Sequence, residues 1–168
     1  MGGEFWRQGK HDKAGILTSL RSFTEWLFVC SKTTLMTLIS QFSRSLKQYA
    51  MVSARSLSLR FAIEGYGVIS QYSTQSFKYT SGGYLPNVYC FDDVGTERPM
   101  QYYGNDCNVM GEILLGRYDH FVKKGMLTHI TTNLSASKLE ELYGNRLRSR
   151  MREMFNLVAF SVDSNDKR

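Results

Sequence analysis

The chain has 168 residues, 42% of them hydrophobic and 21% charged, which suits one folded domain with a core rather than a disordered chain. Its net charge of +6 favours a polyanionic partner such as nucleic acid or a nucleotide, without naming one. The cysteines Cys30, Cys90 and Cys107 are odd in number and far apart, with no CxxC pair, so they support neither a disulfide framework nor a zinc site.

Residues 1–13 are polar and basic. A first strand is expected at either "AGILTSL" (14–20) or "EWLFV" (25–29), and periodicity does not choose between them. "KTTLMTLISQFSRSL" (32–46) places Leu35, Leu38, Ile39 and Phe42 at helical spacing. "YAMVSA" (49–54) reads as a short strand. Residues 56–73 read as a helix that Gly65 and Gly67 interrupt or end.

"SGGYLPN" (81–87) reads as a loop. "VYCF" (88–91) is apolar throughout, as a strand covered on both faces of a parallel sheet would be. Residues 106–124 predict an amphipathic helix, with Val109, Met110, Ile113, Leu114, Tyr118, Phe121 and Val122 on one side. "THITTN" (128–133) reads as a strand. Ser137 and Glu140 suggest a capping box for a helix from 138 to about 153, and "NLVAFSV" (156–162) suggests a last strand. Strands alternating with helices predict an α/β fold with a mostly parallel sheet flanked by helices.

Ligands of such sheets bind outside the carboxyl ends of the strands. Asp92 and Asp93 stand at one such end and Asn133 at another, while Lys32 and Thr33 open the first helix. Each has an ordinary reading as well. Aspartates and Asn133 are frequent turn formers, and Arg146, Arg148, Arg150 and Arg152 make a run that commonly serves as a solvated basic face. His120 and His129 lack ligand spacing and read as structural. Glu97, two residues past Gly95, could help shape the site, but reads rather as a loop-surface residue.

Taken together, "CFDDVGTE", "THITTNLS" and "LYGNRLRSRMREMFNLVAF" resemble the helicase-loader branch of the AAA+ ATPases, the DnaC-like proteins. The resemblance covers roughly 32–168, leaving 1–31 as a poorly matched segment. It implies a P-loop NTPase core binding ATP and Mg2+. It makes Asp92 the Walker B magnesium residue and Asp93 the acidic residue that orients the attacking water. Asn133 matches sensor 1. Arg150 matches an arginine finger acting on a neighbouring subunit, with Arg146 the second candidate. Lys32 and Thr33, with Ser31 before them, match the end of the phosphate loop, and Thr33 would share the magnesium with Asp92. No lid domain is expected after the last strand.

The phosphate loop departs from GxxxxGK[ST]. "WLFVCSKT" carries Trp26 and Ser31 where the pattern has glycine, and a side chain there obstructs a backbone that must wrap phosphate closely. A degenerate site, a variant loop geometry and an altered reading frame before Lys32 all remain open. The expected function is ATP hydrolysis in DNA replication, as a cytoplasmic helicase loader or remodeller. Expected partners are single-stranded DNA, a replicative helicase or a transposase, and further copies of the chain. The alternatives are an inactive DNA- or protein-binding module on the same fold, or an IstB-type transposition helper ATPase. No membrane association is expected, because no apolar run approaches the roughly 18 residues of a span.

Overall fold

The computed structural model describes residues 32–42 and 48–159. In chain order these give α1 (Lys32–Phe42), β1 (Ala50–Ser53), α2 (Ala54–Glu64), α3 (Tyr66–Tyr72), β2 (Phe77–Thr80) and β3 (Gly83–Pro86). There follow β4 (Tyr89–Asp92), β5 (Met100–Tyr102), β6 (Asn105–Cys107), α4 (Val109–Lys124), β7 (Thr128–Ile130) and α5 (Ala136–Met154). Met36–Val158 form one compact unit, and the architecture below is that unit's. The first turn of α1, Lys32–Leu35, belongs to a different unit.

The fold is α/β. Its central sheet is parallel, in the order β1-β4-β7. Successive strand residues face opposite ways, and both Cys90 and Phe91 in β4 are fully buried. The middle strand is therefore covered on both faces, as its unbroken apolar run implied. Phe91 packs into a core with Leu57 and Phe61 of α2, Val68 of α3, Met110, Ile113 and Leu114 of α4, and Leu147 and Met151 of α5. The Tyr49 hydroxyl, just before β1, donates to the Met36 carbonyl at 2.5 Å and ties α1 to the start of the sheet.

Local chemistry sets the element ends. Ser53 caps α2 by accepting from the Ser56 N–H. Gly65 breaks the expected 56–73 helix into α2 and α3. Its φ is +67°, and a Cβ there would lie 2.4 Å from the Tyr102 ring. Gly67 is accommodated inside α3. In α4, Asn108 caps the start and left-handed Gly125 ends it, with Glu112 in the first turn and Lys123 and Lys124 in the last, as the helix dipole favours. The α5 cap is Ser135, not Ser137: the Lys138 N–H donates to Ser135 Oγ at 3.3 Å, and Ser137 Oγ lies 3.0 Å from it. Gly144, at φ +80°, kinks α5.

Other expectations need correction. The 81–87 loop contains β3, which pairs antiparallel with β2. The helix expected from 106 begins at Val109, because 105–107 pair with β5 as a second hairpin. The strand expected over 128–133 ends at Ile130. Of the last expected strand, 156–159 are not strand, and the rest lies outside the described residues. The first-strand candidates, Trp26 and Ser31 also lie outside them. No helix among the described residues is long and apolar enough to cross a membrane.

Arg117 is the unexpected member of the core. It lies in the inward stripe of α4, fully buried, while Val122 is 62% exposed. An arginine has five N–H donors. Nε donates to Thr128 Oγ1, Nη1 to Tyr72 O and Ser76 Oγ, and Nη2 to Asn87 O and Leu127 O, at 2.7–3.2 Å. The guanidinium also lies against the rings of Tyr89 and Phe91, at 5.3 and 5.7 Å. Burial pushes its pKa down to about 10, still charged at neutral pH. Neutral oxygens and ring faces take the place of a carboxylate, and they join α3, the β2–β3 hairpin and β7 to α4.

Candidate functional site

The acidic strand end is built by pairing that continues past the strands. The Thr131 N–H donates to Phe91 O and the Val94 N–H to Thr131 O, both at 2.9 Å, so β4 and β7 stay in register beyond Asp92. This brings Thr131 against both aspartates. Its hydroxyl donates to Asp92 Oδ1 at 2.6 Å and accepts from the Asp93 N–H at 2.9 Å. One buried hydroxyl thus fixes the Asp92 carboxylate and the Asp93 backbone together.

Asp93 has a φ of +55°, in the left-handed region that Asp tolerates better than most residues. The turn directs the chain out of β4 and leaves the Asp93 side chain exposed. Its carbonyl accepts from the Thr96 N–H and hydroxyl. Asn133 Nδ2 lies 3.5 Å from Asp93 Oδ1, so Asp92, Asp93 and Asn133 converge at the carboxyl edge of the sheet. Thr132 steadies the facing loop, donating to Val94 O and accepting from the Leu134 N–H.

The next turn is locked by Glu97. Gly95 has a φ of +96°, and a Cβ there would lie 2.3 Å from Leu134 Cδ1. The Gly95 N–H donates to Glu97 Oε2 at 2.8 Å, and the Tyr143 hydroxyl donates to Glu97 Oε1. Burial first, then the bond to Glu97, raises the Tyr143 pKa well above that of a free phenol, so it stays a donor. Glu97 is therefore a buried link between the loop after Asp93 and α5, not a loop-surface residue. Reading the sequence missed Thr131 and Tyr143, and favoured the surface over the site for Glu97. The strand expected over 128–133 contained Thr131, and no sequence signal set it apart from its neighbours.

Of the other candidates, two open α1 and two lie on α5. Lys32 and Thr33 are the first residues of α1, in the unit separate from that of Asp92. Ser31 lies outside the described residues. Arg146 and Arg150 are on α5 beyond its kink, Arg146 exposed and Arg150 half-buried. The Arg150 guanidinium lies over the Tyr118 ring at 4.9 Å and donates to Arg146 O at 3.3 Å, while the Tyr118 hydroxyl donates to Glu153 at 2.7 Å.

Among the described residues, no group of three or more His, Cys, Asp or Glu side chains could hold a metal by itself. His129 stacks near Tyr49 and His120 meets the Phe77 ring edge-on, and burial lowers the pKa of both. The site can offer a cation two adjacent carboxylates, one of them fixed by a hydroxyl, with an amide close by. No family model matches the chain, and no match was found among the curated proteins or the solved structures.

Proposed function

We propose that the chain is a DnaC-like AAA+ ATPase that acts in DNA replication as a helicase loader or remodeller. The observation that carries this reading is the convergence of Asp92, Asp93 and Asn133 at the carboxyl edge of a parallel sheet, with Thr131 bonded to both aspartates. That edge is where α/β sheets bind their ligands.

A magnesium ion keeps several waters and takes one or two carboxylates plus phosphate oxygens, so it needs no protein cage. The residues at the strand end fit that demand. Asp92 would hold Mg2+ together with Thr33, and Lys32 and Ser31 would contact phosphate. When bound, ATP and Mg2+ supply an electrophilic phosphoryl group and charge neutralisation. Asp93 would orient the attacking water, and Asn133 would contact the terminal phosphate and relay its presence to β7. Arg150, or Arg146, acts on the site of a neighbouring copy. The partners on this reading are single-stranded DNA and a replicative helicase, in the cytoplasm. An IstB-type helper working with a transposase uses the same residues.

Trp26 and Ser31 favour a second reading, a binding module without turnover. A titration with a fluorescent ATP analogue separates the two. We expect weak binding by the chain as it stands, and tighter binding once Trp26→Gly and Ser31→Gly are combined. In that background Asp93→Asn should bind and fail to release phosphate. If the glycine-restored chain binds no ATP with Mg2+ present, the ATPase reading fails and the module remains.

A further inference from the structure

The β2–β3 hairpin carries a surface that the proposed nucleotide site does not use. Tyr79 and Tyr84 face each other across it, with rings 5.4 Å apart and nearly edge-to-face. They are 78% and 71% exposed. Rings this exposed bury little on folding, so the core gains little from them.

The neck beneath these rings is held firmly. The Asn87 N–H donates to Ser76 O, and buried Arg117 donates to Ser76 Oγ and Asn87 O. Lys124 lies 4.7 Å from the Phe77 ring at the hairpin's base. A groove of about 410 Å³ opens there, at the amino end of the sheet and away from Asp92. Lys78, Leu85, Pro86, Asn87, Tyr89 and Lys124 line it, and among the described residues its lining includes no carboxylate.

Alternation along β2 puts Tyr79 on the same face as Phe77, over which Lys124 lies, and puts Lys78 on the opposite face, so cations flank the ring pair on both sides of the hairpin. A rigid element with exposed rings and flanking cations has the chemistry of a single-strand platform: bases stack on the rings while cations follow the phosphates. A duplex keeps its base faces stacked inside and offers such rings nothing. We propose that this hairpin and groove bind single-stranded nucleic acid, with bases on Tyr79 and Tyr84 and phosphates at Lys78 and Lys124. The choice of partner class rests on the proposed function. The surface itself needs no bound ATP.

The test is fluorescence anisotropy of a labelled oligothymidylate of about 16 nucleotides, the upper site size for a small single-strand module. It uses the full chain at low salt without ATP. Combining Tyr79→Ser with Tyr84→Ser should weaken binding by roughly 10- to 100-fold, the scale expected when base stacking is lost. The paired Tyr→Phe changes should retain it, and thermal melts should show that all variants are folded. Combining Lys78→Gln with Lys124→Gln should lower the slope of log affinity against log salt by about 1.4, about 0.7 for each phosphate contact. The proposal is overturned if the wild-type chain does not bind, if the serine variant binds as tightly, or if polyglutamate competes as well as the oligonucleotide. ATP-analogue titrations on the same proteins keep the two readings apart, since loss of one binding activity leaves the other measurable.

Discussion

Thr131 meets two demands with one hydroxyl, donating to a carboxylate and accepting from the next backbone N–H. Valine keeps the shape and loses both bonds. Hydrogen bonds to charged groups contribute about 1.5–3 kcal/mol, and water reaching half-exposed Asp92 recovers part of that. Thr131→Val should therefore lower the unfolding free energy by about 2 kcal/mol in urea titrations, with Thr131→Ser close to wild type. A valine variant as stable as wild type would mean that solvent replaces the hydroxyl at no cost. Cys90, two residues before Asp92, gives a pH signature. Burial, and secondarily the Asp92 charge, push its thiol from 9.0 up to about 12. The folded chain keeps this proton while the unfolded chain releases it. The contribution is complete below pH 9 and is lost as pH rises towards 12, by at most about 1.4 kcal/mol per pH unit. Tyr49, raised from 10.0 to about 12, acts in the same direction. Urea midpoints between pH 8 and 10.5 should fall more steeply for wild type than for Cys90→Ala. Equal slopes would show that the thiol does not titrate differently on folding.

At the scale of elements, Arg117 is the joint between α4 and its neighbours. Arg117→Met fills similar space but strands the carbonyls of Tyr72, Asn87 and Leu127. Unpaired buried acceptors cost about 1–3 kcal/mol each, so a total loss of about 3 kcal/mol or more is expected in urea unfolding. Arg117→Lys should restore little, because an ammonium cannot reach so many acceptors at once. A methionine variant within a few tenths of a kcal/mol of wild type would contradict this role. Arg117 also shows why the sequence was only partly legible. The α4 stripe was visible in Met110, Ile113 and Leu114, yet 117 continues the same spacing with a charge that binary patterning assigns to solvent. The β4 strand was legible because four apolar residues in a row allow little else. The hairpins were not. Their strands are three or four residues long, and Gly82 and Gly83 made 81–87 read as loop. The α5 cap was misplaced because Ser137–Glu140 fits the capping-box pattern, while Ser135 caps without a glutamate partner. At the site, Asp92, Asp93 and Asn133 could be read from strand ends. The bonds of Thr131 and Glu97 could not, since they depend on register across β4 and β7 and on the approach of α5.

At the scale of the whole molecule, the proposed reading makes function a property of an assembly, and Arg150 is where that can be tested. Its guanidinium rests on Tyr118, whose hydroxyl is held by Glu153, so the side chain is placed before any partner arrives. If Arg150 acts on a neighbour's nucleotide, Arg150→Ala should leave ATP-analogue binding nearly intact and remove turnover, a loss of roughly 10³–10⁵ in rate for an arginine finger. The decisive form mixes subunits, in the Trp26→Gly, Ser31→Gly background if the natural loop does not bind. Arg150→Ala lacks the finger, and Asp93→Asn lacks the residue that orients water. Each should be inactive alone. Mixed, they form some interfaces that pair an intact finger with an intact acidic site, and phosphate release should partly return. Single-stranded DNA is added to the mixture to bring subunits together, and sedimentation reports whether they co-assemble. If co-assembled mixtures stay inactive, the action in trans is wrong. If Arg150→Ala alone keeps full turnover, the Tyr118 contact is packing on a basic helix face, and Arg146, exposed one turn earlier, becomes the residue to exchange.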